Sequence, residues 1–143
     1  MRCFLIALVV LCGCSGRPKT YPVSGKVEFE TGTAVAVGVV ELKSERYGLN
    51  ARGNIAQDGT FRLTTFSEND GAVAGEHKCV VLQMVIGENI PGFKPSAAGV
   101  VAPRYASYST SGLSVTIEDK QTNEILLKVR GVAEQPKNGE HSH

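Results

Sequence analysis

No charge of either sign dominates this chain: fifteen Lys and Arg meet fourteen Asp and Glu, for a formal charge of +1. Nucleic-acid binders cluster cations to neutralise phosphates, so this balance implies no nucleic-acid partner. Long hydrophobic runs are missing as well. The run Phe4 to Leu11 is well short of the about 20 apolar residues that span a bilayer. Cysteine is confined to Cys3, Cys12, Cys14 and Cys79, so the body of the chain has one thiol and neither an internal disulfide nor a metal-ligand pair. Nowhere does a stretch of helical length carry apolar residues at i, i+3, i+4 and i+7. The Gly-x-Ser-x-Gly pattern is absent, and no His stands in a motif with Ser or Cys that would form a triad. A length of 143 residues fits one ordinary domain with short appendages.

What is present begins at the N-terminus. Arg2 puts a positive charge ahead of the apolar run, which closes on Cys12-Gly13-Cys14. That order is an export signal. Leu11-Cys12-Gly13-Cys14 resembles the bacterial lipoprotein signal, in which a Leu, two small residues and an invariant Cys end the apolar core. The resemblance implies removal of residues 1–13, lipid on the thiol and amino group of Cys14, and a membrane as partner through that anchor. Cys12 stands where Ala or Ser is more usual. Ser15 rather than Asp follows, which in many enteric bacteria favours onward sorting to the outer membrane. The implied location is the cell envelope, in the outer membrane or a periplasm-facing membrane. After cleavage only Cys79 keeps a free thiol, so the fold stands on its core rather than on disulfides.

Residues 14–21 read as the lipidated Cys and a polar tether, 22–132 as the domain, and 133–143 as a polar tail. Past the tether the hydrophobic period is two. Val23, Gly25, Val27 and Phe29 alternate with Ser24, Lys26, Glu28 and Glu30, which predicts a strand with one buried face. Thr31-Gly32-Thr33 turns the chain. Val35 to Leu42 continues the pattern with a slip between Val39 and Val40, the signature of a bulge or of a two-sided strand. Asp58-Gly59 separates residues 51–56 from 61–66 and predicts a hairpin, because its turn needs positive φ. Ser67 to Gly71 predicts another turn. His77 to Ile86 is apolar enough for the middle of a sheet, and 112–118 and 123–130 alternate again. Leu63, Val81 and Val115 are expected on buried faces and Arg62 on an outward one. Seven short strands with turns between them predict an all-β fold, an antiparallel two-sheet β-sandwich.

Tyr21-Pro22-Val23-Ser24-Gly25-Lys26-Val27-Glu28-Phe29, Gly32-Thr33-Ala34-Val35 and Val39-Val40-Glu41-Leu42 resemble the opening of carboxypeptidase regulatory-like domains. Gly53, Ile55 and Asp58-Gly59-Thr60-Phe61-x-Leu63 match the same pattern, as do Asp70-Gly71-Ala72, Gly75 to Val81, Pro103-Arg104-Tyr105 and Ser111-Gly112-Leu113. The resemblance covers roughly Tyr21 to Val132. It implies a transthyretin-like sandwich, a fold and a location more than an activity. Ala34 stands where that family usually has Pro, and His77 where it has Tyr. Transthyretin-like folds include a ring-opening hydrolase of purine catabolism that ends Tyr-Arg-Gly-Ser, whereas this chain has Val129-Arg130-Gly131-Val132. The zinc motif of the peptidases is absent too.

These readings lead to a noncatalytic lipid-anchored envelope protein, with no cofactor and no metal, whose partner is an unknown envelope protein or glycan. Two rivals stay open. One is a subunit of a larger assembly that pairs through sheet edges. The other is a small hydrolase in which His77 and a carboxylate such as Asp70 meet. Cys79, in Cys79-Val80-Val81-Leu82, reads as a buried inert thiol, or as a nucleophile if His77 lies beside it. His141 and His143 read as solvated tail rather than metal ligands, and Glu68-Asn69-Asp70 as a turn rather than a calcium loop. The stretch 87–110 has no clear period, and loops of that length usually bind or are disordered. Phe93, Lys94, Arg104 and Tyr108 are its candidate binding surface, with Tyr105 expected to pack over a sheet edge.

Overall fold

Strand alternation carries through into burial. Val23, Val27 and Phe29 are buried while Ser24, Lys26 and Glu28 between them are partly solvated. The structure is a computed structural model that describes residues 16–83 and 99–132. Residues 1–13, read as an export signal, lie outside the described residues, as do Cys14, Phe93, Lys94, His141 and His143. In chain order the strands are β1 (Thr20–Tyr21), β2 (Val23–Phe29), β3 (Gly38–Ser44), β4 (Asn50–Ile55), β5 (Thr60–Arg62), β6 (Ala72–Val73), β7 (Gly75–Gln83), β8 (Leu113–Ile117) and β9 (Asn123–Val129). A short 3₁₀ helix over Pro103–Ala106 is the one helical element among the described residues.

The described residues are thus about half strand with almost no helix, consistent with an all-β sandwich, and their strands form three sheets. β1 pairs with β6; β5, β2 and β9 form a second sheet; β4, β3, β7 and β8 form the third. β7 has a strand on each side, as its apolar composition predicts. Inward residues of the two larger sheets join one core, from Val27, Phe29 and Leu127 on one to Val40, Leu42, Val81 and Ile117 on the other. Leu63 and Val81 are buried and Arg62 is exposed, as expected, whereas Val115 is only partly buried against the core.

Four details differ from the sequence reading. The expected pairing is wholly antiparallel, but β2 and β9 run parallel, from Val23 opposite Asn123 to Phe29 opposite Val129. A parallel pair needs a long connection, and here most of the domain lies between the two strands. Part of the expected tether is strand: Thr20 and Tyr21 sit opposite Val73 and Ala72, in segments too short to display a period. Between Val39 and Val40 the slip is that of a strand buried on both faces rather than a bulge, since β3 pairs without a break and both valines are buried. The kink lies earlier, at Val37, whose φ of 57° is uncommon for a β-branched residue. Gln83 holds that kink, donating from Nε2 to the Ala36 carbonyl at 3.1 Å and accepting from the Val101 amide at 2.9 Å. Finally, the 87–110 stretch is not irregular throughout, since the 3₁₀ helix lies within it.

The Asp58-Gly59 turn forms, with Gly59 at φ 84° and the Asp58 carboxylate accepting from the Thr60 amide and hydroxyl. Its two arms then part company. β4 joins β3 and β5 joins β2, and the arms meet again at Arg52 and Thr64, which exchange two 2.9 Å backbone hydrogen bonds. This corner links the two larger sheets.

Candidate functional site

Of the predicted binding surface, Arg104 and Tyr108 are described. Arg104 is exposed; its Nε donates to the Thr110 carbonyl at 3.2 Å and its guanidinium lies 5.5 Å from the Tyr105 ring centre. Tyr108 is half-buried over the outer face of β3. Its hydroxyl donates to Glu41 Oε1 at 2.6 Å, and Lys43 Nζ stands 5.9 Å from its ring centre. Burial and the hydrogen bond to Glu41 hold the Tyr108 phenol well above the usual tyrosine range. Tyr105 is buried, and its hydroxyl accepts from the Arg130 amide at 3.2 Å. The segment is therefore pinned at three points to β3, to the end of β9 and to itself.

His77 and Asp70 are not joined by any hydrogen bond or ion pair among the described residues. Asp70 closes the turn predicted there: Oδ1 accepts from the Thr65 amide at 2.7 Å, and Oδ2 from the Phe66 and Ser67 amides at 3.0 and 2.9 Å. Burial pushes the Asp70 carboxyl up, but the amides of Thr65, Ser67 and Phe66 together bring it below the ordinary range. His77 and Cys79 do share the inward face of β7. The His77 ring is 1% exposed, with Nδ1 at 3.0 Å from the Gly75 carbonyl. A carbonyl only accepts, so Nδ1 carries the proton and Nε2 presents a bare lone pair. That Nε2 is buried without a hydrogen-bond partner among the described residues. Burial lowers the His77 pKa and pushes the Cys79 thiol up to about 12. No group of three or more His, Cys, Asp or Glu with metal-binding geometry occurs among the described residues.

A concavity of about 1120 Å³, open to solvent, lies where the sheets meet at the β4–β5 corner. Its walls are the outward residues of β5, β2 and β9, those of β4, and the turn after β5. Gly53 shapes this corner: a Cβ there would fall 2.3 Å from the Arg62 carbonyl oxygen, so only glycine lets the two backbones approach this closely.

Arg52 and Arg62 both line the groove, and neither guanidinium has an ion pair or hydrogen bond among the described residues. Lys26, also in the wall, is paired with Glu28 at 3.1 Å. Sequence reasoning treats Arg62 as a plain surface residue and passes over Arg52. The turn residues alone did not give the register: a two-residue loop at Asp58-Gly59 would set residue 52 opposite 65, whereas the loop closes between Ala56 and Thr60 and puts 52 opposite 64, on the same face as 62. Comparison with family models, with curated proteins and with solved structures finds no match for this chain.

Proposed function

We propose that this chain is a noncatalytic, lipid-anchored protein of the cell envelope whose β-domain presents a binding surface outside the cytoplasm. The observation that carries this is the spacing between Leu11-Cys12-Gly13-Cys14 and the first strand at Thr20. The six steps from Cys14 to Thr20 reach at most about 20 Å, so the anchor holds the domain against the bilayer surface. The intervening cations settle on the domain: the Arg17 guanidinium lies 5.3 Å from the Phe66 ring centre and Lys19 Nζ 5.0 Å from that of Tyr21. The domain reads as a transthyretin-like two-sheet sandwich of the carboxypeptidase regulatory-like kind, and the single core shared by strands of both larger sheets supports that reading.

Metabolic labelling with a fatty-acid analogue tests the anchor. Cys14→Ala is expected to lose the label and to accumulate as precursor, because the modified thiol precedes cleavage in this pathway. Equal label in variant and parent would refute the proposal. A second reading, a subunit of a larger envelope assembly, draws support from β8 and β9, which stand at the edges of their sheets. Size-exclusion chromatography of the chain separates the two, since a subunit associates and a lone module does not.

A further inference from the structure

We infer that the groove at the β4–β5 corner binds an acidic polysaccharide, a sugar chain bearing carboxylates of the uronic-acid type. The inference rests on the envelope location proposed above for its biological setting, but not for the binding itself.

The first argument is charge left unused. Glu28 holds Lys26 in the groove wall and the other salt bridges described neutralise cations elsewhere, whereas Arg52 and Arg62 line the groove without an acidic partner among the described residues. Arg52 sits opposite Thr64, and Arg62 lies two residues back along the same arm. Diagonal neighbours of this kind stand about 7–8 Å apart. From backbone positions at that spacing, two guanidinium forks can reach, for bidentate contact, carboxylates carried on successive units of one chain.

The second argument concerns the rest of the lining. Ser24, Asn54 and Asn69, whose side chains have no partners among the described residues, line the same space, which suits hydroxyl-rich sugars. Glu68 and Glu124 also line it and are likewise unpaired among the described residues. They accept from hydroxyls and repel a densely charged polyanion, so the favoured ligand has spaced carboxylates and many hydroxyls. Phe61 is 4% exposed and lies in the core, so the groove offers no aromatic pocket to anchor a protein side chain. The same lack leaves no platform on which nucleic-acid bases stack.

The experiment measures binding of the full chain, in detergent micelles, to oligogalacturonate by titration calorimetry. Neutral malto-oligosaccharide and polyglutamate serve as comparison probes. Oligogalacturonate is expected to bind, more weakly as salt rises, and to bind more tightly than either comparison. Arg52→Ala with Arg62→Ala should weaken it roughly tenfold or more, as loss of charge-assisted hydrogen bonds does, at unchanged melting temperature. Arg52→Gln with Arg62→Gln, which keeps the side-chain bulk, should weaken it similarly. Lys78→Ala with Lys120→Ala removes the same net charge away from the groove and should leave binding intact. No binding of oligogalacturonate, equal loss in the Lys78/Lys120 variant, or polyglutamate binding as tightly would each overturn the inference. Because binding is read in solution, it fails or succeeds independently of the lipid label on Cys14.

Discussion

Tyr108 and Glu41, sixty-seven residues apart in sequence, are joined by a 2.6 Å hydrogen bond from the phenol to the carboxylate. The contact ties the segment after the 3₁₀ helix to the outer face of β3. Tyr108, which the sequence offers as a candidate binding residue, is thus also part of how the domain is fastened together. Asn50 Nδ2 approaches the same Glu41 oxygen at 3.4 Å.

Tyr108→Phe keeps the ring and removes the donor. The expected loss is about 1 kcal/mol, below the roughly 1.5–3 kcal/mol usual for a hydrogen bond to a charged group because the pair is partly solvated. The sign of the pH effect follows from the raised phenol pKa. A raised folded-state value contributes stability that is complete below the unfolded value, about 10, and is lost as pH rises above it. Tyr21 contributes in the same direction through its hydrogen bond to Asp119. Chemical denaturation at pH 8 and pH 11 should therefore show a smaller alkaline loss in Tyr108→Phe than in the parent.

His77 acts at the other end of the pH scale. Its pKa is lowered by burial, so the unfolded chain binds the proton more readily and stability falls as pH drops below about 6.5. The carboxylates held below their ordinary range, Glu28, Asp58 and Asp70, lose their contribution only below about 4. Denaturation midpoints between pH 6.5 and 5 should consequently decline in the parent and stay level in His77→Phe. A parallel decline in both would show that another group titrates there.

Asp70→Ala should destabilise the domain by about 2 kcal/mol, since one carboxylate satisfies three backbone amides and its removal leaves them to water. Asp70→Asn retains one acceptor oxygen and should recover part of that loss. Thermal melts of the two variants beside the parent measure both.

Val81→Asp places a carboxylate at a position 1% exposed in the core. An unpaired buried charge outweighs much of the roughly 5–15 kcal/mol by which domains are stable, so the variant should show no cooperative melt. Arg62→Ala changes an exposed side chain and should cost about 0.5 kcal/mol or less. If the two melted alike, the assignment of inward and outward faces would be wrong.

Local physics alone determined much of this protein. The two-residue period of Val23 to Phe29 is a property of neighbouring residues, and so is the φ preference that puts a turn at Asp58-Gly59. The same holds for the apolar density that places β7 between two strands. Those features needed no knowledge of distant residues. Which strand each arm of the hairpin would choose was another matter. β4 goes to β3 and β5 to β2, and that choice opens the groove and leaves Arg52 and Arg62 side by side. The parallel pairing of β2 with β9, the kink at Val37 fastened by Gln83, and the capture of Tyr108 by Glu41 likewise join residues far apart in the chain. Only tertiary structure decided them, because backbone and side-chain hydrogen bonds between distant segments depend on which surfaces the shared core brings into contact, and no local pattern encodes that.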